Sequence, residues 1–159
     1  MIVPLTLRDF LDRARSVYPD RVAVVDEPNQ VADSWGEVTY AQLYAKARSQ
    51  AATLDELGVP QGARVAMVSH NAARLLASFY GGANWGRIFV PVNFRLAPAE
   101  VEYIVEHSGA EVVMLDPELE HLADACSSAK HVFVLGRDDD RSGAASAAPA
   151  EWEPGESAA

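Results

Sequence analysis

The sequence predicts an α/β domain in which a mostly parallel sheet is covered by helices on both faces. Short apolar strand segments alternate along the chain with helical segments of roughly 10–18 residues. Three strand segments, Val-Ala-Met-Val, Ile-Phe-Val and Val-Val-Met-Leu, are almost continuously apolar, as strands buried on both faces are. With 159 residues, 49% of them apolar, the chain is large enough for one such folded core.

The first elements are predicted from capping and turn signals. Thr6 and Asp9 have the spacing of a helix N-terminus, and Pro19 ends the helix that follows. The β-branched run Val22–Val25 predicts a strand. A polar loop then leads to a second short strand at Glu37–Thr39, so this pair of strands reads as a hairpin.

A capping box predicts the start of the next helix. The Thr39 and Gln42 side chains are spaced so that each can bond a backbone N–H of the other residue. Gly58 and then Pro60 end this helix. Its predicted apolar face consists of Leu43, Ala47, Ala51 and Leu54.

The rest of the chain continues the alternation as far as residue 135. The predicted elements are a strand over Arg64–Ser69, a helix from the N-cap Asn71 to about Trp85, a strand over Ile88–Val92, a helix from Pro98 that ends at Gly109, a strand over Glu111–Leu115, a helix over Pro117–Ala129 and a strand over His131–Leu135. Residues 1–135 are therefore expected to form the α/β unit. Residues 136–159 carry an Asp triplet and then mostly Ala, Ser, Gly and Pro, and are expected to form an acidic linker or tail.

Net charge, cysteine content and the length of apolar runs limit the partners and the cellular location that we expect for this chain. With 13 basic and 23 acidic side chains the net charge is −10, which disfavours nucleic acid and anionic lipid as partners. The single cysteine, Cys126, excludes an internal disulfide and is expected to be a small buried helix residue in a reducing compartment. No apolar run is long enough for a membrane span, so we expect a cytoplasmic protein.

The residues alone predict no catalytic, cofactor-binding or metal-binding side chain. No G-x-G-x-x-G or G-x-x-x-x-G-K-[ST] motif is present, and Gly82 and Gly86 have a spacing that suggests close helix packing. Ser69 and His70 are neighbours at a strand end, where their side chains point to opposite faces and cannot form a catalytic dyad. The other histidines are predicted to be structural or surface residues: His107, His121 and His131.

Two segments carry a family resemblance. Residues 37–43, Glu-Val-Thr-Tyr-Ala-Gln-Leu, resemble the first conserved motif of adenylate-forming (AMP-binding) enzymes, Leu-Thr-Tyr-x-Glu-Leu. Residues 82–93, Gly-Ala-Asn-Trp-Gly-Arg-Ile-Phe-Val-Pro-Val-Asn, resemble the second, Lys-Ala-Gly-Ala-x-x-Val-Pro-Val-Asn. The likeness continues in the family's order from residue 4 to about 136, and residues 91–96, Pro-Val-Asn-Phe-Arg-Leu, look like the acyl-CoA synthetase branch.

The resemblance implies the first subdomain of a fatty-acid or other carboxylate–CoA ligase. Such an enzyme forms an acyl adenylate from a carboxylate and ATP, and then passes the acyl group to CoA, so ATP, Mg²⁺ and CoA are implied for the intact enzyme. The family's phosphate loop, adenine-binding motif, ribose-binding Asp and catalytic Lys have no match in this chain. The resemblance therefore assigns no catalytic, cofactor-binding or metal-binding residue, and this chain alone is expected to bind no cofactor and to be inactive.

Three functions stay open on the sequence. The first is the N-terminal part of an acyl-CoA synthetase, whose expected partners are the remainder of the synthetase chain and a carboxylic or fatty acid substrate. A homo-oligomer stays open. The second is a stand-alone, non-catalytic scaffold that pairs with a separate chain bearing the phosphate loop. The third is a small α/β nucleotide-binding protein with an atypical site. Whether the chain acts in an enzyme is thus left undecided at this point.

Overall fold

The computed structural model of the protein describes residues 6–135. The predicted acidic tail at 136–159 lies outside the described residues. Along the described chain the elements are α1 (Leu7–Val17), β1 (Val22–Val25), β2 (Glu37–Thr39), α2 (Tyr40–Glu56), β3 (Arg64–Ser69), α3 (Ala73–Ala83), β4 (Ile88–Asn93), α4 (Pro98–Ser108), β5 (Ala110–Leu115), two 3-10 helices (Pro117–Leu122 and Asp124–Cys126) and β6 (His131–Val134).

The strands form two sheets. The larger one has the order β4-β3-β5-β6, and all its neighbouring strands are parallel. The smaller one is the β1–β2 pair, which is antiparallel as the predicted hairpin requires. The predicted α/β class with a mostly parallel sheet is therefore confirmed.

Both faces of the parallel sheet are covered. On one face, Val101 and Val105 of α4 and Leu119 and Leu122 of the first 3-10 helix pack in one cluster with Val113 of β5. The opposite face is covered by the end of α2 and the residues that follow it, and the buried residues of this cluster are Leu54, Val59, Ala63, Val65, Met67, Val112, Met114 and Leu135. Helix α1 and the hairpin join α2 and α3 in a third cluster. This coverage explains why β3 and β5 are almost continuously apolar.

The predicted helix boundaries are confirmed where side chains form the caps. Asp9 Oδ2 accepts hydrogen bonds from the Thr6 backbone N–H at 2.6 Å and from its hydroxyl at 2.9 Å. Before α2, the Thr39 N–H donates to Gln42 Oε1 at 2.8 Å, and the Gln42 N–H donates to Thr39 Oγ1 at 3.3 Å. The predicted apolar face of α2 is buried throughout. Helix α4 ends at Gly109, whose φ of 61° places it in the left-handed region.

The prediction of an α-helix over Pro117–Ala129 is wrong, since two short 3-10 helices take its place. The Leu119 N–H donates to the Asp116 carbonyl oxygen at 2.8 Å, which closes an i to i−3 turn. A 3-10 helix has three residues per turn, so side chains three apart lie along one edge. Leu119 and Leu122 have this spacing and are both buried against the sheet.

Helix α3 also differs from its prediction at both ends. It begins at Ala73 with Ala72 at the N-cap, so Asn71 does not cap it, and it ends at Ala83 before Trp85. The proposed packing role of Gly82 and Gly86 is corrected too. Gly86 has a φ of 82° and belongs to a turn, whereas the close approach of α3 to α2 is made at Gly81.

Replacing Gly81 by Ala is expected to destabilise the fold by about 1–3 kcal/mol, because overpacking forces buried groups apart. The added Cβ would overlap Gln50 Oε1 and lie 3.0 Å from the Ala47 carbonyl oxygen on α2. Gly82→Ala is the matched control, since its Cβ would meet only Phe89, at 3.6 Å, and Ala favours a helix by up to about 1 kcal/mol. Urea unfolding of both variants measures the difference, and an equal stability for the two would contradict this account.

The Cys126 thiol is expected to resist alkylation in the folded protein. The side chain is fully buried, as predicted, although in a 3-10 helix, and burial raises its pKa to about 11. Since the thiolate is the reactive form, iodoacetamide at pH 8 should modify the chain only after denaturation. Mass spectrometry before and after addition of urea measures this, and rapid labelling of the folded chain would show that the site opens.

Candidate functional site

The crevice at the carboxyl ends of β3 and β5 is the position that this fold class favours for a ligand-binding site. Strand β3 lies between β4 and β5, so the chain leaves β3 toward one side of the sheet and later returns on the other. In open α/β sheets, ligands bind outside the carboxyl ends of the strands at such a switch point. The residues that follow β3 and β5 here are His70 and Asp116.

The side chains at this crevice pair with carboxylates and not with each other. The Ser69 hydroxyl lies 2.8 Å from the His70 carbonyl oxygen and 3.2 Å from Asp116 Oδ2. His70 Nε2 lies 3.0 Å from Glu118 Oε2, and its ring packs on Phe94 with 4.1 Å between ring centroids. The Ser69 hydroxyl and the His70 ring are thus directed to two different acidic residues, Asp116 and Glu118.

Helix N-termini next to this edge carry acidic side chains. Asp26 Oδ1 accepts a hydrogen bond from the Ala73 N–H at the first residue of α3, at 2.8 Å. Asp116 Oδ1 accepts from the Glu118 N–H at the start of the first 3-10 helix, at 3.2 Å. At α4, Glu100 Oε2 accepts from the Ala97 N–H at 2.8 Å. A phosphate group needs free N–H donors and positive potential at a helix N-terminus, and carboxylates in these positions compete for the donors and repel it.

The described residues therefore do not fit a nucleotide phosphate or a magnesium ion. Among residues 6–135 no group of three or more His, Cys, Asp and Glu side chains is arranged to hold a metal ion. Two further histidines of this range stack on aromatic rings: His107 on Tyr103 and His131 on Phe133. Within the same range no helix is both long and apolar enough to cross a membrane.

Asp26 accepts three hydrogen bonds in the site region, and it is not among the residues predicted from the sequence. It is buried at the end of β1, and its Oδ2 accepts from the Trp35 N–H at 2.9 Å and from Gln30 Nε2 at 2.8 Å. Burial by itself would raise its pKa, but the N–H donors of Ala73, Trp35 and Gln30 outweigh burial and hold the pKa below the ordinary value of 3.8. An acid after an apolar strand is the only signal of this role in the sequence.

Trp35 fixes the hairpin loop against the helices. Its ring contacts two cations, with Lys46 Nζ 3.8 Å and Arg74 Cζ 4.9 Å from the ring centroid. Such cation–π contacts stabilise by about 0.5–2 kcal/mol each. Arg74, which is buried, also donates to the Asp33 carbonyl oxygen in the same loop. The loop between β1 and β2 is thus held to both α2 and α3.

An apolar groove of about 500 Å³ is lined by residues of β1, α3 and β4. We call it the β1–α3–β4 groove. Its apolar lining includes Val24, Val25, Leu75, Phe79, Phe89 and Pro91. Val25 is 68% exposed, and Asp26 and Glu27 border the groove as the acidic members of its lining. Its lining can accept apolar side chains.

The two segments that carry the family resemblance occupy structural positions. Thr39 and Gln42 cap α2, and residues 88–93 form strand β4 at the edge of the parallel sheet. Asn93 Oδ1 accepts from the Arg95 N–H at 3.0 Å, which turns the chain after β4. These residues shape the fold around the groove and the crevice.

Comparison with known proteins gives consistent matches. A profile described as AMP-binding enzyme matches residues 11–158. The chain is 32% identical over 143 residues to 4-hydroxybutyrate–CoA ligase 2 of Metallosphaera sedula, covering 89% of this chain and 25% of that protein. It is 36% identical over 124 residues to a long-chain-fatty-acid–CoA ligase of Thermus thermophilus, covering 76% of this chain and 22% of that protein.

A solved structure shows the same fold. The N-terminal domain of FACL13 from Mycobacterium tuberculosis superimposes with a TM-score of 0.83 at 29% identity, covering 94% of this chain and 39% of that one. The described fold thus matches the N-terminal subdomain of acyl-CoA synthetase structures. The chain spans about a quarter or less of the length of the two curated relatives.

Asp26→Ala is expected to lower the free energy of unfolding at pH 7 by about 2–4 kcal/mol, because buried N–H donors lose their acceptor. Glu27→Ala, at the exposed neighbouring acid, should change it by less than about 0.5 kcal/mol. Since the folded-state pKa of Asp26 is lowered, its stabilisation is full above the unfolded pKa and is lost as the pH falls through the folded one. Urea unfolding across pH tests both statements, and equal losses in the two variants would refute them.

Proposed function

The chain belongs to the AMP-binding enzyme family, and from this premise we propose that it forms the N-terminal part of an ATP-dependent acyl-CoA synthetase. The observation that carries the proposal is the family match over residues 11–158, combined with relatives that are CoA ligases. The ordered motifs support it, because the first caps α2 and the second forms β4.

The proposed reaction has two steps. A carboxylate oxygen attacks the α-phosphorus of ATP, so that a mixed acyl–phosphate anhydride forms and pyrophosphate leaves. The CoA thiol, after losing its proton, then attacks the acyl carbon, and AMP leaves with the electron pair of the broken C–O bond. Such transfers depend on groups that stabilise charge on the reacting phosphorus and carbonyl. No residue of the described range is assigned to that task.

The role we propose for this chain is therefore structural. Carboxylates accept N–H donors at the N-termini of α3, α4 and the first 3-10 helix, which disfavours phosphate binding at these three helix ends. We infer that ATP, Mg²⁺ and CoA are held by the rest of the synthetase, and that this chain alone is inactive. The carboxylates at these helix N-termini also disfavour the third function left open on the sequence, that of a small nucleotide-binding protein.

The acyl group stays unspecified within the carboxylic acids, with a fatty acid as our preferred substrate. The relatives are named for 4-hydroxybutyrate and for long-chain fatty acids, so sequence similarity in this part of the chain accompanies different acyl groups. We also propose a cytoplasmic location, since Cys126 is a buried free thiol and unpaired thiols persist in reducing compartments.

A complementation experiment tests the proposal. The full chain is co-expressed with the part of the Metallosphaera sedula ligase that follows its aligned segment, and the product is assayed with ATP, Mg²⁺, CoA and 4-hydroxybutyrate. We expect acyl-CoA formation from the pair and no pyrophosphate release from this chain alone. The positive control pairs the same fragment with that ligase's own aligned segment.

Two results would contradict the proposal. Pyrophosphate release by this chain alone, above a blank without protein, would show that the chain carries a catalytic site of its own. No acyl-CoA from the pair, while the positive control is active, would show that the chain does not supply the missing part of a synthetase.

A further inference from the structure

Buried polar atoms without partners cluster in the α3–β4 turn, residues 84–87. The Asn84 side chain is 1% exposed, and neither its Oδ1 nor its Nδ2 has a hydrogen-bond partner among residues 6–135. Three positions later, Arg87 Nε is buried and likewise unpaired within this range. Buried side-chain polar atoms in proteins nearly always have a partner, because leaving them without one costs free energy. These three atoms therefore indicate a partner other than the described side chains and backbone.

The guanidinium group of Arg87 is held at this turn by its two other nitrogen atoms. Its Nη2 donates to Asp55 Oδ1 and, at 2.6 Å, to the Val59 carbonyl oxygen. Its Nη1 donates to the Trp85 carbonyl oxygen at 3.2 Å, so the planar group lies against the residue that follows Asn84. The unpaired atoms of Asn84 and Arg87 thus belong to one short segment whose geometry is fixed by neighbouring hydrogen bonds.

Burial and charge define the partner. Asn84 and Arg87 are buried within this chain itself, so another polypeptide or a larger ligand reaches these atoms only by opening the fold. The positive charge of Arg87 is already balanced by Asp55, and an anion is therefore not required. The unpaired atoms are donors at Arg87 Nε and Asn84 Nδ2 and an acceptor at Asn84 Oδ1. A water molecule accepts and donates at once, and buried waters typically make about three hydrogen bonds.

We infer that the α3–β4 turn binds one internal water molecule, which accepts a hydrogen bond from Arg87 Nε–H and donates one to Asn84 Oδ1. The inference does not rest on the proposed function. When Val-Pro-Val-Asn is matched in the family motif quoted above, Lys and Ala align with Asn84 and Arg87, so neither partner of the water follows the family's pattern. The water links the end of α3 to the start of β4, where Arg87 also holds the end of α2 through Asp55.

Nuclear Overhauser effects between water and the full chain test the inference. The Asn84 side-chain amide and the Arg87 Nε–H should both show a contact to water with the sign of a long-lived complex, because an internal water exchanges far more slowly than a surface one. The control is the side-chain amide of Asn29 in the exposed hairpin loop, which should show only the short-lived contact of surface water. Absence of the long-lived contact at either buried group would overturn the inference.

A matched pair of substitutions tests whether the two residues share the water. Asn84→Leu removes both amide atoms and keeps a side chain of similar length, while Asn29→Leu makes the same chemical change on the surface. We expect the long-lived contact at Arg87 Nε–H to be lost in Asn84→Leu, because the water loses its second partner, and to be unchanged in Asn29→Leu. Its persistence in Asn84→Leu, with a dispersed amide spectrum that shows a folded chain, would contradict a shared site.

A crystal structure of the unsubstituted chain provides a second measurement that needs no variant. An ordered water within about 3.2 Å of both Arg87 Nε and Asn84 Oδ1 is the expected result. Gln50 Oε1 on α2 is a buried acceptor that also has no partner in the described part of the chain. A direct hydrogen bond from the Asn84 amide to this atom, with no water bound to both Asn84 and Arg87, would overturn the inference.

Discussion

The hydrogen bond from the Ala73 N–H to the buried Asp26 carboxylate ties the β1–β2 hairpin to the start of α3. Asp26 ends β1 in the hairpin, and Ala73 begins the helix that follows the central strand β3. The same carboxylate accepts from Trp35 and Gln30 in the loop between β1 and β2. One side chain therefore caps α3 and closes the loop, so that the hairpin is tied to that helix.

Within residues 6–135 this constraint also places a carboxylate where the fold class favours a phosphate site. The turn after β3 leads directly into α3, and that helix N-terminus is the place where many α/β proteins bind phosphate. Here a carboxylate occupies it, and a second carboxylate, Asp116, occupies the turn after β5. The crevice is thus used for structure, and the chemistry we propose for the intact enzyme belongs to other parts of it.

Local sequence signals predicted the elements well where the determining residues are close in the chain. The Thr39–Gln42 capping box, the Gly109 end of α4 and the apolar runs of β3 and β5 each depend on neighbours a few residues away. The prediction was wrong for Pro117–Ala129, because the turns there follow the three-residue spacing of Leu119 and Leu122 and not an α-helical period.

By itself, the sequence determined the fold class, the order of strands and helices, and the family resemblance, because periodicity and caps are short-range properties. Only the tertiary structure decided that Asp26 and not Asn71 caps α3, that Gly81 is the close-packing glycine, and that β1, α3 and β4 enclose an apolar groove. Each of these depends on residues far apart in sequence, and the Asp26–Ala73 bond spans 47 positions. A contact between residues so far apart produces no periodic pattern in the sequence, because it depends on how whole helices and strands pack together.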